Sequence, residues 1–140
     1  MIRAIGALGV ALVLLSHAEA ADLDITVNGV RNANGRVLAE ACPKEQFLDT
    51  RCPWRASAPA APGQVTVRIP GVPPGVYAAQ AFHDENNNKQ IDRNWLGIPT
   101  EGLGFSNDAR FRFGPPRFED AAFRLGPEGG RIALTLRYFD

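Results

Sequence analysis

The sequence predicts an all-β protein: a single antiparallel β-sandwich of about seven strands, with one long loop at residues 83–108. Three observations lead there. Six segments read as strands, four of them with apolar side chains on alternate positions, the pattern of a strand with one wet face. Turn signals rich in Gly and Pro separate them at short intervals, leaving no room for crossover helices. No window of useful length repeats its apolar residues every ~3.6 positions, as a helix would.

The chain opens with a leader. Met1-Ile2-Arg3 is a short basic start, Ala4 to Ser16 is an apolar run without charge, and Ala18-Glu19-Ala20 has the small-x-small pattern that signal peptidase accepts. The apolar run is shorter than the roughly 20 residues of a bilayer span. The expectation is a cleaved signal peptide over residues 1–20, then a single domain over 21–140 without a membrane span. Such a protein is periplasmic or secreted.

The elements follow in order. "LDITVNGV" sets Leu23, Ile25 and Val27 against Asp24, Thr26 and Asn28. "NANG" is a hairpin signal, with "RVLAEAC" as the return strand carrying Val37, Ala39 and Ala41 on one face. "RASAPAAPGQ" is expected to be a Pro- and Ala-rich connection. "VTVRIP" alternates Val65, Val67 and Ile69, "GVPPG" turns the chain, and "VYAAQAF" runs into His83. Near the C-terminus, "EDAAFRL" and "RIALTLRYF" are strands joined by "GPEGG"; Ile132, Leu134, Leu136 and Tyr138 share a face of the second. "ARFRF", with Phe111 and Phe113 alternating with arginines, is a seventh candidate.

Composition removes several classes. Lys and Arg total 15, Asp and Glu total 15, so no basic excess draws nucleic acid and no polybasic patch marks the chain. The two cysteines, Cys42 and Cys52, lie in the exported part, where disulfides persist. Neither CxxC spacing nor histidine neighbours make them a redox or metal pair, so a structural bridge is expected.

The long loop begins "HDENNNKQID". Counted from Asp84, oxygen-bearing side chains stand at positions 1, 3, 5, 7 and 9: Asp84, Asn86, Asn88, Gln90 and Asp92. Calcium takes six to eight oxygens, and an EF-hand-type loop supplies them at those positions and at position 12. Ile91 stands where such loops tuck an apolar residue inward. Two departures stand out. Lys89 occupies position 6, where a sharp turn needs glycine, and Trp95 occupies position 12 and lacks a carboxylate. Glu101 or Asp108 is the candidate to close the shell, with Glu85 facing outward. The competing reading is a polar turn whose Asn and Asp side chains bond their own backbone.

Three blocks in order, "AFHDENNNKQID", "LGIPTEGLGFSNDAR" and "FGPPRFEDAAF", resemble the bacterial exported family called domain of unknown function 2141. That family's loop reads like "HDENGNGKLD", so Asn87 and Lys89 stand where it has glycines. The resemblance implies an exported β-sandwich similar to prealbumin-like and carboxypeptidase-regulatory-type domains; the strand count alone suits an immunoglobulin-like sandwich as well. It implies no activity.

Two function classes follow. The first is a non-catalytic exported binding or structural module with a loop ordered by calcium or by its own hydrogen bonds. Its partner would be a protein or a glycan, met by an apolar patch of Trp95, Leu96, Leu103 and Phe105 if these are exposed together. Packing over an open end of the sandwich is their competing role. The second class is a small secreted hydrolase using His83, Ser106 and the loop carboxylates Asp84, Asp92, Glu101 and Asp108. No nucleophile-elbow glycines surround Ser57, no P-loop or GxGxxG occurs, and one mature-chain histidine is too few for a zinc site.

Overall fold

A computed structural model describes residues 6–7, 9–11, 20–49, 52–111 and 114–139. Most of the expected leader lies outside them, as do Arg112 and Phe113 of the expected "ARFRF" strand. The chain is all-β, with eight strands in two facing sheets, a β-sandwich. The strands are β1 (Ala21–Val30), β2 (Arg36–Cys42), β3 (Trp54–Pro59), β4 (Gly63–Val72), β5 (Gly75–Asp84), β6 (Leu103–Phe105), β7 (Ala122–Leu125) and β8 (Gly130–Thr135). One sheet has the order β4-β1-β8; the other has the order β3-β2-β5-β6, with β7 also paired to β5.

The alternating residues build the core between the sheets. Leu23, Ile25, Val27, Val37, Val67 and Ile69 are all buried in it, and Ile132, Leu134, Leu136 and Tyr138 join from the C-terminal end. In β1 the register shifts between Asn28 and Val30 while Gly29 takes a φ of 78°, so Val30 rather than Gly29 turns inward.

Several elements differ from the sequence-based expectation. "RASAP" is the edge strand β3, not a connection: Trp54, Ala56 and Ala58 pack on the core while Arg55, Ser57 and Pro59 face out. Small alanines blur the apolar contrast, and an edge tolerates the missing N–H of Pro59. "NANG" does not close a hairpin, because β1 and β2 lie in different sheets; the turn carries the chain across the sandwich. All pairs are antiparallel except β1 and β8, which run parallel. A chain end returning from the far sheet has no local turn to set its direction, and periodicity is blind to strand polarity. "EDAAFRL" begins as one helical turn, α1 (Phe118–Ala121), before β7.

β2 and β3 do form a hairpin, and Cys42 and Cys52 are disulfide-bonded at its loop end, beside the Ala41–Trp54 pair, with Cα atoms 5.4 Å apart. The outer face of the β5 sheet carries a second small core of Ala78, Leu103, Phe105, Ala109 and Ala121. Phe47, Phe82, Ile91, Phe111 and Phe118 pack against it, with edge-to-face ring pairs such as Phe105–Phe111 at 5.1 Å. This second core anchors the long loop. No helix among the described residues is long and apolar enough to cross a membrane.

A candidate ion-binding loop and an exposed tip

β5 ends at Asp84, and the chain does not rejoin the sheet until Leu103. Everything between hangs from a few polar anchors. The fully buried Asp84 carboxylate accepts the backbone N–H of Asn88 at 3.1 Å and of Lys89 at 2.8 Å. Its carbonyl accepts Asn87 N–H at 3.3 Å. Two further side chains continue the turn: Asn86 Oδ1 accepts Asn88 N–H, and Asn88 Oδ1 accepts Gln90 N–H. This is the self-bonding polar turn that Asn and Asp favour.

The amide groups of Asn86 and Asn88 both point at Asp92, donating to its two oxygens at 2.6 and 2.7 Å. Those bonds, from Asn88 first and then Asn86, hold the Asp92 carboxyl below its usual range. Glu101 is buried, and its carboxylate closes the loop by accepting Glu85 N–H at 2.6 Å and Asp92 N–H at 3.3 Å. Burial pushes the Glu101 carboxyl the other way, above its usual range, and the neighbouring Asp92 charge adds to that. The two acids are thus neighbours whose carboxyls move in opposite directions, Asp92 down and Glu101 up.

Of the sequence-derived ligands, Asp84, Asn86, Asn88, Asp92 and Glu101 thus belong to one hydrogen-bonded cluster. Their carboxylates stay apart: no group of three acidic ligand atoms within 4.8 Å of one another forms in this loop among the described residues. The group that meets that spacing is Glu40, Cys42 and Cys52, whose two sulfurs are bonded to each other. Gln90 is exposed, and only its backbone joins the cluster. Asp108 is a correction. It sits after β6 in a 3-10 turn (Ser106–Asp108) and accepts Thr135 N–H at 2.9 Å, so it serves the opposite sheet rather than the loop.

Asn87 and Lys89 adopt φ of 58° and 63°. The positions where the resembled family has glycine are therefore the two left-handed ones. Asn tolerates that conformation; lysine is strained there by about 1 kcal/mol. Lys89→Gly is expected to raise the stability in urea by up to about 1 kcal/mol, less the entropy that glycine adds to the unfolded chain. A midpoint that falls would show that the lysine side chain contributes more than its backbone costs.

Glu85 faces away from the cluster, as the alternation implies, but it is not idle. Arg31 Nε and Nη2 each donate to it at 2.7 Å, and Asn32 Nδ2 donates at 2.7 Å. These bonds, Arg31's above all, hold its carboxyl at about 2. The guanidinium also stacks 4.6 Å above the Tyr138 ring. No sequence spacing links Arg31 to Glu85, so only the fold reveals this clamp.

The apolar residues of the loop separate. Leu103 and Phe105 are buried in the second core, whereas Trp95 is 90% and Leu96 61% exposed at the loop's tip. Beside the loop, the outer sheet face forms an open groove of about 1420 Å³ floored by Leu38, Glu40, Gln80 and Phe82. Burial raises the Glu40 carboxyl against the opposing pull of Arg55, its cross-strand partner. The hydrolase grouping is not assembled. Ser106 Oγ accepts Ala79 N–H at 2.9 Å and donates to the Ala121 carbonyl. His83 lies four residues further along β5, roughly 13 Å away at strand rise. It is fully buried, with Nε2 on the Asn34 carbonyl at 2.6 Å and Nδ1 without a partner.

No curated protein and no solved structure matches the chain. A family model described as an uncharacterized protein conserved in bacteria (DUF2141) matches residues 25–133, a span that runs from the first strand of the sandwich to the last and includes the whole loop. On that match the chain belongs to the DUF2141 family of bacterial proteins.

Proposed function

We propose that the protein is an exported, non-catalytic binding module whose loop at residues 84–101 is ordered by a calcium ion. The observation that carries this is a hydrogen-bonded cluster that gathers three acids, Asp84, Asp92 and the buried Glu101, around a turn built of the Asn86 and Asn88 amides. A divalent cation bound among them relieves the mutual repulsion of the ionised carboxylates. The donors suit calcium in kind, being oxygens throughout: Asp84, Asp92, Glu101 and, after rotation of their amides, Asn86 and Asn88. The disulfide and the leader-like start support export. The separation of His83 from Ser106 supports a role other than hydrolysis.

Calcium titrated into chelator-treated protein is expected to raise the melting temperature at millimolar concentrations. At ten times the dissociation constant the gain is about 1.4 kcal/mol. The rise should diminish as pH is lowered, because burial raises the Glu101 carboxyl and calcium competes with protons for it. Asp92→Asn should abolish it. Asp84→Ala is a poorer control, since Asp84 holds two loop N–H groups without any ion. An unchanged melting temperature at 5 mM calcium would leave the loop as a self-bonded turn.

A further inference from the structure

The segment Arg93–Pro99, "RNWLGIP", is a rigid turn rather than a slack loop. Asn94 Oδ1 accepts both Leu96 N–H at 2.9 Å and Ile98 N–H at 3.1 Å. Asn94 N–H donates to the Ile98 carbonyl, and Gly97 N–H to the Asn94 carbonyl, both at 2.9 Å. Arg93 bridges backbone to backbone with Pro99 and donates Nη1–H to the Gly97 carbonyl. Gly97 takes the φ of 78° that lets the turn close. Every one of these bonds is internal. The outcome is a self-bonded tip that holds Trp95 out in solvent, with Leu96 and the 37% exposed Ile98 beside it on the edge of the groove.

We infer that this tip inserts into the interfacial region of a lipid bilayer. The inference deepens the binding-module reading, on which it rests, and is independent of the calcium. Three observations favour lipid over other partners. Trp95 stands outside the groove that Leu96 and Ile98 line, so it is free to enter a soft surface, whereas a small ligand needs a concave one. A glycan stacked on Trp95 needs polar side chains at its edge; the Asn94 oxygen is already engaged with two backbone N–H groups, Arg93 Nη1 with the Gly97 carbonyl, and the remaining neighbours Leu96 and Ile98 are apolar. Residues 93–100 contain no acid, while Arg93 and Lys89 stand on the same rim, both exposed. The sequence-wide charge balance conceals this local pair. An amphipathic Trp flanked by Leu, Ile and cations is the composition that settles at the headgroup boundary.

The test uses the exported, disulfide-bonded protein with sedimentable vesicles of phosphatidylethanolamine and phosphatidylglycerol, or of phosphatidylcholine alone, each in calcium and in chelator. The chain has two tryptophans, and Trp54 is already packed against Tyr77 at 5.4 Å, so a blue shift in emission reports Trp95. Co-sedimentation with a blue shift is expected in both calcium and chelator. Trp95→Ala should weaken vesicle binding at least tenfold at an unchanged urea midpoint. Arg93→Gln should weaken binding roughly fivefold, on the anionic vesicles alone. Wild-type protein that stays in the supernatant overturns the inference, as does Trp95→Ala binding like wild type, or a blue shift with soluble oligosaccharide or added protein in place of vesicles. A calcium-dependent melting shift that persists without vesicle binding sinks the lipid inference alone; vesicle binding without that shift sinks the calcium reading alone.

Discussion

Gly35→Ala is expected to destabilise the protein by about 2–4 kcal/mol, from two separable causes. Gly35 has a φ of 66°, which costs a side-chain-bearing residue about 1 kcal/mol. The larger cause is steric. A Cβ there would overlap the Asp84 carbonyl oxygen and crowd the Glu85 backbone. That oxygen is main chain at the root of the long loop, accepting Asn87 N–H, and cannot swing aside as a side chain would. Gly71→Ala isolates the first cause, because Gly71 has a φ of 68° and open space where its Cβ would be. Its expected loss is about 1 kcal/mol. Urea titrations of both variants at pH 7 decide the matter. Equal losses would mean that the β1–β2 turn and the loop root are not in contact.

Glu85→Gln is expected to lower stability by about 2 kcal/mol at pH 7, with a loss that depends on pH in a set direction. The folded carboxyl titrates at about 2 against a reference of 4.5, chiefly because of the Arg31 hydrogen bonds. Such a shift corresponds at most to about 3 kcal/mol. Arg31 is 34% exposed, and screening reduces the value. The folded state binds this proton more weakly than the unfolded chain does. The contribution is therefore complete above pH 4.5 and disappears as pH falls toward 2. Wild type and variant should differ most at pH 7, the gap narrowing through pH 3 and closing only toward pH 2. A gap that stays constant down to pH 3 would assign the effect to packing of Glu85 rather than to its charge.

Much of this protein could be read from its residues alone. The alternation of Leu23, Ile25 and Val27, and of Val65, Val67 and Ile69, determined which faces meet in the core, because a strand's side chains can only alternate. The two cysteines in one short segment determined their pairing. The Asp and Asn residues after His83 made a self-bonded turn one of two readings of the loop, since Asx residues carry their acceptors close to the backbone, and those bonds are present. Periodicity is a local quantity, however, and carries no information about which strand lies beside which. Tertiary structure alone decided that "NANG" crosses between sheets, that β8 runs parallel to β1, and that "RASAP" is an edge strand. It decided the site in the same way. Glu101 closes the loop and Asp108 does not, because β6 between them delivers Asp108 to Thr135 on the other sheet. Leu103 and Phe105 sink into the second core while Trp95 and Leu96 remain outside it, because β6 pairs with β5 and the turn at Asn94 folds only upon itself.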